Sequence, residues 1–175
     1  MPVRIESQAE RTMPNGLPTN KPRMTPIATG LVNVKATSAS RATPALARAK
    51  IGITTIIPDY RVYPEVRYPT FLDDGAAATA WAANKVGTDK LFVVGHSAGA
   101  YIAIMMMANT PYLAAAGVDR MKLPGGIGIA GPYDFLPFDG RITRTAFGSW
   151  PRPEDTQPVT FAARGAPPAF LATGG

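Results

Sequence analysis

One stretch constrains the fold of this chain more than any other: "LFVVGHSAGAYIAIMMM", residues 91–107. Its four opening residues are apolar on both faces of an extended chain, which suits a strand covered from both sides. Its last ten residues, read as a helix, are apolar nearly all round and must be covered on most sides. Between the two lies a corner with glycine at each end, Gly95 and Gly99. A buried strand that turns sharply into a buried helix belongs to a sheet layered with helices.

The flanking sequence repeats this alternation. "IGITTIIPDY" is β-branched, apolar on both faces and stopped by Pro58, as expected of a buried parallel strand. "YPTFLDDGAAATAWAANKVG" reads as a helix with Thr70 as its cap, Asp73 and Asp74 in its first turn, Lys85 near its end and Gly87 beyond it. "GGIGIAG" and "PPAFLATGG" read as further strands, and Met105, Met106 and Met107 as core filling. Strands alternating with helices imply a parallel sheet with crossover helices, an α/β fold.

The first fifty residues differ in kind. The first aromatic is Tyr60, prolines recur at 2, 14, 18, 22, 26 and 44, and only "TGLVNVKAT" and "PALARAKIG" suggest a short strand and a short helix. A stretch without aromatic residues buries little surface against its ordering entropy. Residues 1–45 are therefore expected to be a poorly ordered, basic, Pro-rich segment, and 46–175 the folded domain. The formal net charge of +6 arises within the first fifty residues, where eight basic residues face only Glu6 and Glu10. Scattered charge without interleaved aromatics argues against a nucleic-acid partner. No run reaches the roughly 18 apolar residues of a membrane span, and the N-terminus lacks a signal-peptide core, so a cytoplasmic protein is the default expectation. The chain has no cysteine, which excludes disulfides and thiolate metal sites.

Gly95-His96-Ser97-Ala98-Gly99 fits the pattern G-x-S-x-G. The pattern alone is weak, but here a strand enters it and a helix leaves it. Such a corner lifts the Ser97 hydroxyl above the carboxyl ends of the strands as a candidate nucleophile. The backbone N–H of Ala98, at the start of the helix, would face an oxyanion forming there. The competing reading is a serine that merely caps a helix.

With "IIPDYRVYPEVRYPTFLDD" before it and "GPYDF" after it, "GHSAGA" resembles the carboxylesterase-like α/β hydrolases. The resemblance is to a small bacterial esterase and lipase group that is similar to kynurenine formamidases, and it covers about Ile51 to Gly175. It implies an α/β-hydrolase sheet, no metal or organic cofactor, and hydrolysis of small-molecule carboxylic esters through an acyl-serine at Ser97. It also implies partners that this sequence does not supply. The family's acid and histidine follow the strand that "PPAFLATGG" resembles, and an HGG-type oxyanion loop precedes "IIPDYR". The only histidine is His96, on the corner itself, where neighbouring side chains diverge. It reads as a turn residue and not as the base. The expectation is a fold lacking strands at both ends, from a reading frame truncated at its C-terminus and replaced or out of frame at its start, with impaired turnover. The alternative is a non-catalytic remnant or binding module. Oligomeric state has no signature here.

Four other patterns carry less. Gly126-Ile-Gly-Ile-Ala-Gly131 fits G-x-G-x-x-G, with Glu154 downstream, but it leads into Pro132 and not into a helix, so a dinucleotide site is rejected. Asp134 in "GPYDF" follows a strand end and reads as a turn former. A prolyl-oligopeptidase-like peptidase would share the corner but usually has glycine where Ala100 stands. Arg61 and Glu65 read as loop contacts. A sheet without its first and last strands exposes apolar edges. A thermal melt followed by circular dichroism is therefore expected to be broad; a sharp, two-state transition would count against the missing strands.

Overall fold

The computed structural model describes residues 24–34, 53–163 and 165–174, the first of these as backbone only. Five strands form one sheet: β1 (Met24–Val34), β2 (Thr54–Pro58), β3 (Phe92–His96), β4 (Gly125–Ile129) and β5 (Ala169–Ala172), in the order β2-β1-β3-β4-β5. The helices are α1 (Thr70–Val86), α2 (Ala98–Ala108), α3 (Thr110–Ala115) and α4 (Arg141–Phe147). From β1 to β5 the neighbours pair in parallel, with Leu31 opposite Phe92, Phe92 opposite Gly125 and Gly126 opposite Ala169.

The purely parallel strand expected at "IGITTIIPDY" does not hold. β2 pairs antiparallel with β1: from Met24 to Thr29 the partners run back from Pro58 to Thr54. After register shifts around Thr29 and Gly30 they run forward again from Thr54 to Ile56. Four of the five β2 residues are buried. A continuous apolar run reports burial on both faces, not strand direction, which is set by the pairing with β1. Within the stretch 1–45, residues 29–34 of the strand suggested at "TGLVNVKAT" lie in β1, between β2 and β3. Residues 1–23 and 35–45, and the short helix suggested at "PALARAKIG", lie outside the described residues.

α1 and α2 form one layer on the sheet. They come close because Gly75 has no side chain: a Cβ there would sit 2.6 Å from Ile102 Cγ2. Nine consecutive residues of α2, Gly99 to Met107, are buried, as its all-round apolar composition requires. Leu72, Leu91, Val93, Met105 and Met106 have no exposed surface, and each such side chain contributes about 1.5–3 kcal/mol. Arg120 donates to the carbonyls of Met107 and Ala108, satisfying the end of α2.

α1 spans the expected residues, with Gly87 after its last turn, but its cap is not the one expected. Pro69 occupies the cap position without a side-chain capping bond, and its carbonyl accepts from Leu72 N at 2.7 Å. Asp74, expected as an acid of the first turn that favours capping, turns to Arg61 instead. Its carboxylate accepts from Arg61 Nε at 3.0 Å and Nη2 at 2.7 Å, and from the Arg61 backbone N–H at 3.0 Å. A two-pronged guanidinium contact outcompetes a capping bond at the same carboxylate. It ties the loop after β2 onto α1.

A ring of aromatic residues fixes the segments after β4. Phe147 lies 5.2–5.5 Å from Phe71, Tyr101 and Phe135, in edge-on arrangements each contributing about 0.5–1.5 kcal/mol. Tyr101 and Tyr68 donate to the carbonyls of Thr156 and Asp155 at 2.8 and 2.9 Å. Burial raises both phenols far above the ordinary tyrosine value, so they act as neutral donors.

The Arg61–Asp74 pair is asymmetric, with side-chain exposures of 33% and 6%. Arg61→Ala strands a buried carboxylate and is expected to cost about 3 kcal/mol in urea unfolding. Asp74→Ala should cost clearly less, because Arg61 can turn to water; the reverse order would show that the pair is not what holds the loop.

Candidate active site

β3 and α2 meet at Ser97. The residue stands at the helix cap with φ 54° and ψ −120°, a backbone conformation that non-glycine residues avoid. The corner is tight enough to require glycine at position 95. A Cβ there would lie 2.0 Å from the Gly99 carbonyl oxygen and 2.5 Å from Ala100 N, both backbone atoms that cannot move aside. Gly99 is buried inside the first turn. The expected sharp strand-to-helix corner is therefore present, with Ser97 exposed at its tip.

Ser97 does not cap α2. Its side chain makes no capping hydrogen bond, although the residue occupies the cap position. Its carbonyl accepts from Ala100 N at 3.0 Å and Tyr101 N at 3.1 Å, and its N–H donates to Ile129 O at 2.9 Å. The serine carbonyl thus meets two N–H groups of the first turn, and the hydroxyl is not used for capping. Ala98, also exposed, opens α2; its N–H lies before the first intrahelical bond and has no carbonyl of its own helix to reach.

His96 is exposed at the end of β3, opposite Ile129. Strand alternation puts its side chain on the face of Phe92 and Val94, away from Val93 and the helix layer. Asp134 is exposed in the loop after β4. Among the described residues, no group of three or more His, Cys, Asp and Glu is placed to hold a metal ion, and no helix is long and apolar enough to cross a membrane.

The G-x-G-x-x-G stretch has a packing explanation. Gly126 and Gly128 lie on β4 where a Cβ would come within 2.5 Å of Met107 Cγ and 2.8 Å of Ile104 Cγ1. Gly131 does the same toward Ala100 Cβ at 2.7 Å. These glycines are the bed of α2, and β4 runs on into a loop with no helix before Arg141. Sequence reasoning missed two neighbours of the corner. Ala130, directly after the residue that accepts from Ser97 N–H, has φ 50°. Gln157, 2% exposed, accepts from Phe135 N at 2.7 Å. Neither has a local pattern; the alternating glycines of β4 were the one visible sign of close packing there.

A model of the family described as alpha/beta hydrolase fold matches residues 29–127. No curated protein sequence matches the chain. Among solved structures, the apo form of Thermogutta terrifontis esterase 2 is similar with a TM-score of 0.60 at 18% identity, over 82% of this chain and 59% of that one. The same esterase phosphonylated by sarin gives 0.64 at 20% identity, over 82% and 60%. A fungal esterase from Rhizomucor miehei gives 0.60 at 18% identity, over 81% and 54%. The chain therefore spans well under two thirds of the length of these esterases, and at such identities the likeness concerns the fold.

The strained backbone at Ser97 sets a measurable expectation. Ser97→Gly should raise stability by about 1 kcal/mol in chemical unfolding, strain relief outweighing the added chain entropy. Gly95→Ala should lose about 4 kcal/mol or more, because the added methyl meets backbone.

Proposed function

Since the chain belongs to the α/β-hydrolase fold family, we propose that it derives from a serine esterase whose acyl-forming nucleophile is Ser97. The observation that carries this reading is a serine held at φ 54° on a strand-to-helix corner, exposed, with a side chain that makes no capping hydrogen bond to the helix it precedes. A serine used only as a cap would turn its hydroxyl to the free N–H groups. Holding a strained residue at a corner is a cost that functional sites commonly bear.

The chemistry assigned to the site is ester hydrolysis in two steps. Ser97 Oγ attacks the ester carbonyl carbon, the carbonyl oxygen takes up the negative charge, and the Ala98 N–H donates to it. The carbonyl carbon–alkoxy oxygen bond then breaks, and the alcohol leaves with the proton released by Ser97. Water attacks the acyl-serine in the second step, giving the carboxylic acid and restoring the hydroxyl. Both steps need a base to carry the proton. Within these 175 residues the sole histidine, His96, projects from the face of β3 turned away from the helix layer, so it is not placed to serve as that base.

In complete enzymes, losing triad members leaves about 10³–10⁴-fold acceleration over water. Without a second oxyanion donor another factor of about 10²–10³ goes. These 175 residues alone should therefore turn over p-nitrophenyl acetate at close to the background rate. Turnover that disappears in Ser97→Ala would overturn this expectation of impairment.

A covalent probe tests the assignment itself, because it records a single event and not repeated turnover. Thermogutta terrifontis esterase 2 takes phosphonyl groups, and a fluorophosphonate probe is expected to label this chain slowly and at Ser97, as read by peptide mass. Labelling confined to other serines, or unchanged in Ser97→Ala, would favour the reading as a non-catalytic fold remnant or binding module.

A further inference from the structure

Tyr133 stands out as a residue whose hydroxyl has no chemical partner but a definite place. Its oxygen is closed off from solvent and makes no hydrogen bond; the Gly131 backbone approaches it without reaching hydrogen-bond geometry. An unpaired buried hydroxyl is destabilising, so phenylalanine would serve better if this side chain only filled space. The hydroxyl instead occupies the room left by two missing side chains. It lies 2.1 Å from where a Cβ on Gly128 would be and 2.7 Å from where one on Gly131 would be.

Those two glycines belong to the bed on which α2 rests. Ala100, Ile104 and Met107 form one stripe along α2 and meet Gly131, Gly128 and Gly126 in turn. The end of the bed carries the corner: Ile129 O accepts from Ser97 N–H, and Ala130 follows it at φ 50°. Tyr133 is held from behind, since its carbonyl accepts from Val159 N at 3.1 Å and the nearby Phe135 N–H donates to buried Gln157.

We propose that Tyr133 is a positioning residue for Ser97 and Ala98, bracing the seam between β4 and the first turn of α2. The inference rests on Ser97 being the acyl-forming centre. The brace sets how closely α2 approaches the sheet, and with it where the helix N-terminus points relative to the Ser97 side chain. A helix shifted by a few tenths of an ångström would keep its fold and lose its aim.

The absence of cysteine from the chain provides the test. Ser97→Cys introduces a single thiol at the helix N-terminus, whose alkylation by iodoacetamide against pH reports the thiolate midpoint. That midpoint is expected below the value of about 8.5 for a free cysteine. Adding Gly128→Ala puts a methyl where the Tyr133 hydroxyl sits, and the midpoint should rise by about 0.5 unit, roughly a threefold loss of thiolate below the midpoint. Adding Tyr133→Phe to that pair removes the nearest clashing atom and should lower the midpoint again, short of its first value because the methyl still meets Ile104 Cγ1 at 2.8 Å. Circular dichroism follows folding separately, and a change in stability alone would not move the pH profile.

A midpoint unmoved by Gly128→Ala, or a shift that Tyr133→Phe does not reduce, overturns the positioning role while leaving Ser97 as nucleophile. A midpoint at or above about 8.5 in Ser97→Cys alone overturns the reading of Ser97 and the positioning role with it. Should the Gly128→Ala chain not fold, Tyr133→Leu in the Ser97→Cys chain takes its place. Loss of the brace then raises the midpoint, and an unchanged profile overturns the proposal.

Discussion

Backbone packed against backbone at the corner between β3 and α2 governs this molecule. Gly95 lies so near the Gly99 carbonyl that a single added carbon would overlap it at 2.0 Å. That contact turns the chain from strand to helix within one residue, and the residue at the turn, Ser97, takes a strained conformation as a result. The direction of α2, its burial against the sheet and the exposure of the Ser97 hydroxyl all follow from it. A looser corner would let the serine relax and turn its oxygen to the helix, where it would become an ordinary cap.

The same economy of side chains extends along α2. Gly75 admits Ile102 from the α1 side, and Gly126 and Gly128 admit Met107 and Ile104 from β4. A helix apolar on every side can be buried only if its neighbours come close, and glycine is what permits it. The three consecutive methionines, with unbranched and flexible side chains, fill the irregular spaces that such close approach leaves. Packing of this kind transmits small displacements, because an interior at close-packed density has little slack to absorb them. The site and its support are in that sense one unit.

The segments after β4 are held differently, by rings and polar anchors instead of glycine contacts. Phe147, Phe135, Phe71 and Tyr101 meet edge to face, and the buried hydroxyls of Tyr101 and Tyr68 reach the backbone at Thr156 and Asp155. Gln157 holds the loop that carries Tyr133. These contacts tie the loop at the end of β4 to the helix layer, and so keep the rim of the sheet beside Ser97 in place.

Legibility from sequence follows the range of the physics. The corner at 95–99, the bounds of α1 and α2 and the strands at 92–96, 125–129 and 169–172 rest on local rules: glycine at close approaches, apolar periodicity, helix-stopping residues. Those were readable, and Ser97 with them. The place of β1 between β2 and β3, the antiparallel pairing of β2, the choice of Asp74 for Arg61 over a helix cap, and the brace at Tyr133 were not. Each joins residues distant in sequence, and no neighbouring residue betrays the partner. The sequence by itself determined that a serine would be raised on a sharp turn, because the atoms that force the turn lie within five residues of one another. What lies around that serine was decided only when the sheet assembled, because strand order and the contacts across it depend on which distant surfaces bury each other best.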